Sequence, residues 1–191
     1  MAARNKKAAD GSDCDRFAAE ELTEQAAAFI IRGSTDTARA FLEEALARET
    51  GSVRARVCKA LAMIQAGDFA AALAMAEKVL EATPDCGTAH VARGYARGKM
   101  GDLEGARRDF GRGEECYPDD YRVPYNIACF WGEAGDEEEC LRYLERALAI
   151  APPNFSGAVA RDPSFAGVRD KSWFRDIVAR ARERVASKPA P

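Results

Sequence analysis

One histidine, His90, and six cysteines, Cys14, Cys58, Cys86, Cys116, Cys129 and Cys140, are the side chains from which a proton shuttle, a reactive thiolate or a zinc centre would have to be built. Each of those chemistries needs several groups brought together: a base held by a second group, or Cys and His at short ligand spacings. The cysteines contain no CxxC pair and form no zinc-type cluster with His90. The carboxylate run Asp136-Glu137-Glu138-Glu139 has the charge to hold a cation, but four acids in a row at a helix start are more commonly a solvated cap. Glycine-rich phosphate cradles of the Walker or dinucleotide type are missing. The residues therefore predict no catalytic group, no metal and no cofactor.

The elements that carry these residues follow a register. Gly33, Gly67-Asp68, Gly101-Asp102 and Gly135-Asp136 recur every 34 residues, and Pro84, Pro118 and Pro152 follow the last three at an offset of 17. Each glycine permits a left-handed turn after a first helix, each aspartate can cap a second helix, and each proline stops it. A helix-turn-helix unit of this length resembles the tetratricopeptide family. The resemblance implies an all-α, right-handed solenoid of about four helix pairs, 17–154, with repeats at 19–52, 53–86, 87–120 and 121–154.

The columns of that register carry packing information. At the eighth position of each repeat stand Ala26, Ala60, Gly94 and Ala128, and at the twentieth Ala38, Ala72, Ala106 and Cys140. Helices packed about 8–10 Å apart leave room only for small side chains where they approach most closely. Larger columns are looser: Glu114 interrupts Leu46, Leu80 and Leu148, and Arg97 interrupts Phe29, Met63 and Trp131. Repeat 87–120 is thus predicted to be the weakest by packing. His90 lies in a column that the family commonly fills with an aromatic ring and is read as a packed ring, while Cys58, Cys116 and Cys140 serve as small hydrophobes.

Residues 1–16 are small, polar and charged and are expected to form a mobile tail. Residues 155–188 lose the period and form a capping segment; Tyr125-Asn126, Ala128-Cys129, Asp162-Pro163, Phe165, Arg169 and Phe174 resemble the terminal phrase that closes many tetratricopeptide arrays. A last helix from Ser172 to about Lys188 turns Trp173, Phe174, Ile177, Val178, Ala181 and Val185 to one face, and a solenoid needs such a cap. From Arg161 to Lys188 there are eight Lys or Arg against four Asp or Glu, a basic end on a chain of formal charge -3.

That overall charge and a pI of about 5.4 disfavour a nucleic-acid surface, and no run reaches the roughly 18 apolar residues of a membrane helix. Without a recognisable secretory signal, a cytoplasmic location with reduced thiols is expected.

Function is expected from the concave face, which the first helix of every pair lines. The resemblance implies a groove drawn from Arg54, Val57, Leu61, Ile64, Val91, Tyr95, Lys99, Arg122, Tyr125 and Cys129. Its apolar strip calls for a cover, and a protein or peptide partner presenting an apolar or amphipathic segment is the natural one. The lysine, asparagine and arginine clamp of family members that grip chaperone C-termini is largely absent. The reading is a non-catalytic interaction module: an adaptor, scaffold or small chaperone. Its rivals are a self-associating scaffold whose groove is covered by its own chain, and a redox sensor using Cys129 or Cys14.

Overall fold

The computed structural model describes residues 11–152 and 154–186, and their regular structure is helical throughout. Four pairs follow one another: α1 (Gly11–Ile31) with α2 (Thr35–Arg48), α3 (Val53–Gln65) with α4 (Phe69–Ala82), α5 (Gly87–Lys99) with α6 (Leu103–Cys116), and α7 (Arg122–Ala134) with α8 (Glu137–Ile150). A short α9 (Phe155–Val159), a 3-10 turn at Pro163–Phe165 and α10 (Ser172–Ala186) close the array.

The turn chemistry is that of the sequence register. The turn glycines have left-handed backbones, with φ from 76° at Gly33 to 95° at Gly101. The residue after each donates its N–H back across the helix end, as Asp68 does to the Met63 carbonyl at 2.9 Å. The same aspartates then start the next helix: the N–H groups of Ala71, Gly105 and Glu139 donate to the carboxylates of Asp68, Asp102 and Asp136 at 3.1, 2.8 and 3.1 Å. Ser34 in the first turn makes no such side-chain bond.

The mobile tail expected over residues 1–16 needs correction at its far end. Gly11–Arg16 belong to α1, while residues 1–10 lie outside the described residues. The stretch lacks periodic apolar residues, but extending a helix already nucleated downstream is far cheaper than starting one. Asp15 also approaches Arg48 of α2 at 3.8 Å.

Both small columns are fully buried. Ala26, Ala60, Ala128, Ala38, Ala72, Ala106 and Cys140 have no exposed surface. A Cβ on Gly94 would fall 2.8 Å from the Phe110 ring, so α5 and α6 meet too closely there for any side chain. Phe110, Phe130 and Trp131 continue this contact as an aromatic cluster, with ring centroids 4.8 to 6.0 Å apart.

First helices pack closely in succession, α1 on α3, α3 on α5 and α5 on α7, whereas the second helices α6 and α8 stand further apart and meet through long side chains, as Arg146 does with Glu114. The array is therefore curved, with α1, α3, α5 and α7 on the inside. At its end α10 buries Phe174, Ile177, Val178 and Ala181 against α8 and α9. Arg184 donates to the Leu148 and Ala149 carbonyls at 2.9 and 3.1 Å, satisfying groups that the end of α8 leaves without helical partners.

Candidate functional site

The concave face divides into two parts. Over α7 it is filled by the chain itself. The Tyr125 hydroxyl donates to the Asp162 carboxylate, and the Tyr125 ring meets Phe155 and Phe165 at 4.8 and 6.0 Å. Ser164 donates to Glu133 at 3.1 Å, and Gly132 brings α7 so close to the 3-10 turn that a Cβ there would lie 2.8 Å from the Ser164 carbonyl. Asp162 shapes the turn by accepting the Ser164 N–H at 2.8 Å, and its carbonyl accepts from Arg169 at 2.8 Å. Tyr125 and Cys129, both placed in the groove from sequence, thus lie beneath residues 155–165.

Over α3 and α5 the face is open but less apolar than the sequence predicted. Val57 and Val91 are 6% and 5% exposed and belong to the core. Val57 packs with Val79, Leu80, Cys86 and Ala89, and Val91 turns into the gap that Gly113 leaves in α6. The contiguous strip is corrected accordingly. Leu61 and Ile64 are half-buried, their inner edges resting on Ala60, Ala76 and Ala92. Tyr95 is half-buried beside them, its ring edge-on to Phe130 at 5.1 Å and its hydroxyl donating to Glu133 at 2.5 Å. Lys99 donates to the same Glu133 oxygen at 2.7 Å and stands 5.4 Å from the Tyr95 ring centre.

Two further predicted residues mark the edges. Arg54 is exposed at the start of α3 and makes no ion pair among the described residues. Arg122 is exposed at the start of α7, paired with Asp120 at 2.6 Å. The Arg122 guanidinium holds the Asp120 carboxyl below the usual carboxylate range.

The polar centre of the array was not singled out from sequence. Asp109, 2% exposed, accepts from Arg93 at 2.6, 3.0 and 3.1 Å and from Arg97 at 3.0 Å. His90 completes it: Nε2 lies 2.8 Å from the Pro84 carbonyl, while Nδ1 faces Arg93 at 3.5 Å. With Nε2–H donating to that carbonyl, Nδ1 is free to accept from Arg93. The ring is a structural link in this arrangement. A sequence signal existed in Arg97, the one cation in an otherwise apolar column.

Burial, reinforced by Asp162, pushes the Cys129 thiol well up, and burial with Asp136 nearby pushes Cys140 up to about 12. The Tyr95 and Tyr125 hydroxyls are raised likewise, chiefly by burial. A redox-sensing cysteine needs accessible thiolate character, and the raised pKa disfavours the thiolate at both positions, partly exposed Cys129 and buried Cys140. Under native conditions an alkylating reagent should modify exposed Cys14 at the rate of an unfolded peptide, leaving Cys129 and Cys140 unmodified until the chain unfolds. Mass spectrometry of quenched samples reads this directly, and Cys129 labelling as fast as Cys14 would restore the sensor.

Among the described residues no group of three His, Cys, Asp or Glu is placed to hold a metal, and no helix is long and apolar enough to cross a membrane. A sequence profile described as tetratricopeptide repeat matches residues 29–98. Within residues 29–98 the chain carries tetratricopeptide repeats. Its fold is similar to that of TTC0263, a thermophilic tetratricopeptide-repeat protein of Thermus thermophilus, with a TM-score of 0.67 and 17% identity over 90% of this chain and 93% of that one. It is also similar to MamA from Desulfovibrio magneticus RS-1, with a TM-score of 0.50 and 17% identity over 89% and 97% of the two chains. No curated protein matches the sequence. Tetratricopeptide arrays are protein-interaction modules, typically without catalysis, and this chain is one of that general kind.

Proposed function

We propose that the array holds a segment of a partner protein on the part of its concave face formed by α1, α3 and α5, as an adaptor, scaffold or small chaperone of the cytoplasm. One observation carries this reading: the same concave surface, one pair further on, receives the chain's own residues 155–165 through aromatic rings and the Asp162 carboxylate. An apolar segment with acidic flanks suits the open part as well. Leu61, Ile64 and Tyr95 offer it a half-exposed apolar floor, with Arg54, Lys99 and Arg122 along the edges. A central aromatic anchor with charges at the rim is how interface energy is commonly distributed.

A second reading, a groove covered entirely by its own chain, draws on the same contact over α7. Selection of a random peptide library on the immobilised full chain separates the two. The expected result is a family of peptides with spaced apolar residues and acidic flanks. Tyr95→Ala combined with Leu61→Ala should weaken the selected peptides by at least about 30-fold, equivalent to losing one hot spot of about 2 kcal/mol. Arg54→Glu changes an exposed side chain and should weaken only the acidic peptides. Undiminished binding by both variants, with helical content retained, sinks the groove assignment; failure to recover any peptide favours the self-covered groove.

A further inference from the structure

The two ends of the array are chemically opposite. Residues 13–49 carry nine Asp or Glu against four Arg, and residues 161–184 carry seven Lys or Arg against four acids. The contacts of α1 lie with α2 and α3, and those of α10 with α8 and α9, so these segments stand at opposite ends of the array. A solenoid end has no following repeat to cover it, and what it exposes decides whether it stays bare.

At the acidic end α1 buries Ala19, Thr23, Ala26 and Ile30. Phe17 lies almost diametrically opposite that stripe by helical spacing and is 63% exposed, the most exposed large apolar residue described. Glu21 and Glu24 flank it on the same outward face and make no ion pair among the described residues. Among the described residues nothing covers the Phe17 ring, so this end presents an apolar side chain between two carboxylates.

The basic end holds a matching recess. Between α8 and α10 lies a crevice of about 270 Å³ floored by Leu148, Ile177 and Ala181 and rimmed by Arg180 and Arg184. Glu145 is the one carboxylate among the described residues that line it, and it is engaged by Arg180 at 3.1 Å.

We infer that copies of this chain associate head to tail, Phe17 and its carboxylates on one copy seating against the crevice and arginines between α8 and α10 of the next. The surfaces are different on the two partners, so the contact is heterologous and leaves one of each free at the ends of every assembly. Such a contact grows into open chains and does not stop at a symmetric dimer. Exposed charge pairs are screened within about 10 Å at 0.1 M salt, so the association weakens as salt rises.

Sedimentation velocity on the full chain tests this. Wild type should grow beyond dimers with increasing concentration at about 0.1 M salt and revert to monomer near 1 M. Phe17→Ser removes the knob and Arg180→Glu reverses the recess, both at exposed positions, and circular dichroism checks that each remains folded. Each variant alone should be monomeric. Mixed in equal amounts they should form one-to-one dimers and nothing larger, since one variant retains only the recess and the other only the knob. A monomeric wild type at every concentration, assembly by either variant alone, or a mixture that stays monomeric overturns the inference. Peptide capture by the groove should be the same in both variants, so the outcome is independent of the groove's role.

Discussion

Replacing Asp109 with alanine should destabilise the protein by about 3–5 kcal/mol, the usual cost of removing one partner from a buried ion pair. The carboxylate is 3% exposed at the side chain and faces Arg93 and Arg97, themselves only 21% and 27% exposed. Without it two guanidinium groups remain partly desolvated on α5, with Glu77 at 3.6 Å from Arg97 as a partial counter-charge. Desolvation is the larger quantity here; the pair itself need not be strongly stabilising. That distinction is measurable. Asp109→Leu combined with Arg93→Met and Arg97→Met should recover most of the lost stability, because a packed apolar cluster commonly matches a buried ion network. Denaturant titration followed by circular dichroism reads both variants. A loss below about 1 kcal/mol for Asp109→Ala would mean that water screens the network as it does exposed pairs.

This network explains what the sequence could and could not convey about the third pair. Arg97 and Glu114 visibly break apolar columns, and broken columns imply loose packing. In the structure the two residues are compensated: Arg97 reaches Asp109, and Arg146 of α8 approaches Glu114 at 3.2 Å. Burial raises the Glu114 carboxyl's pKa, and Arg146 and Arg142 counter that. A lone Asp109 on an amphipathic helix reads as solvent-facing, and only its pairing across 16 residues reveals otherwise.

The small-residue columns were legible because close helix approach tolerates few residue types, and a 34-residue period repeats that constraint. Groove residues are less constrained. Val57 and Val91 occupy positions at the boundary between concave face and core, where neighbours on the second helix decide the outcome. Gly113 is such a neighbour: its missing side chain leaves the space that Val91 occupies, with a hypothetical Cβ only 2.6 Å from the valine methyl. Column position gives the face of a helix, whereas exposure depends on the opposing surface.

Phe165→Ala should also cost about 3–5 kcal/mol, within the range for truncating a buried phenylalanine, and its second effect locates the damage. Phe165 is fully buried, 6.0 Å from the Tyr125 ring and 5.5 Å from the Phe174 ring, so it joins the 3-10 turn to both α7 and α10. Its neighbours in the turn supply direction, through Tyr125 to Asp162 and Ser164 to Glu133, but these are single polar contacts near the surface. Losing the ring should therefore loosen residues 155–165 from α7 before the helix pairs separate. Cys129, shielded by that segment, is the reporter: its alkylation should accelerate in Phe165→Ala under conditions where Cys140 remains unmodified. Asp162→Ala provides a milder version, removing the polar tether while keeping the aromatic anchor, and should produce a smaller acceleration. If Phe165→Ala lowers stability yet leaves Cys129 as protected as in wild type, the segment is held by α10 alone and does not act as the cover of the groove over α7.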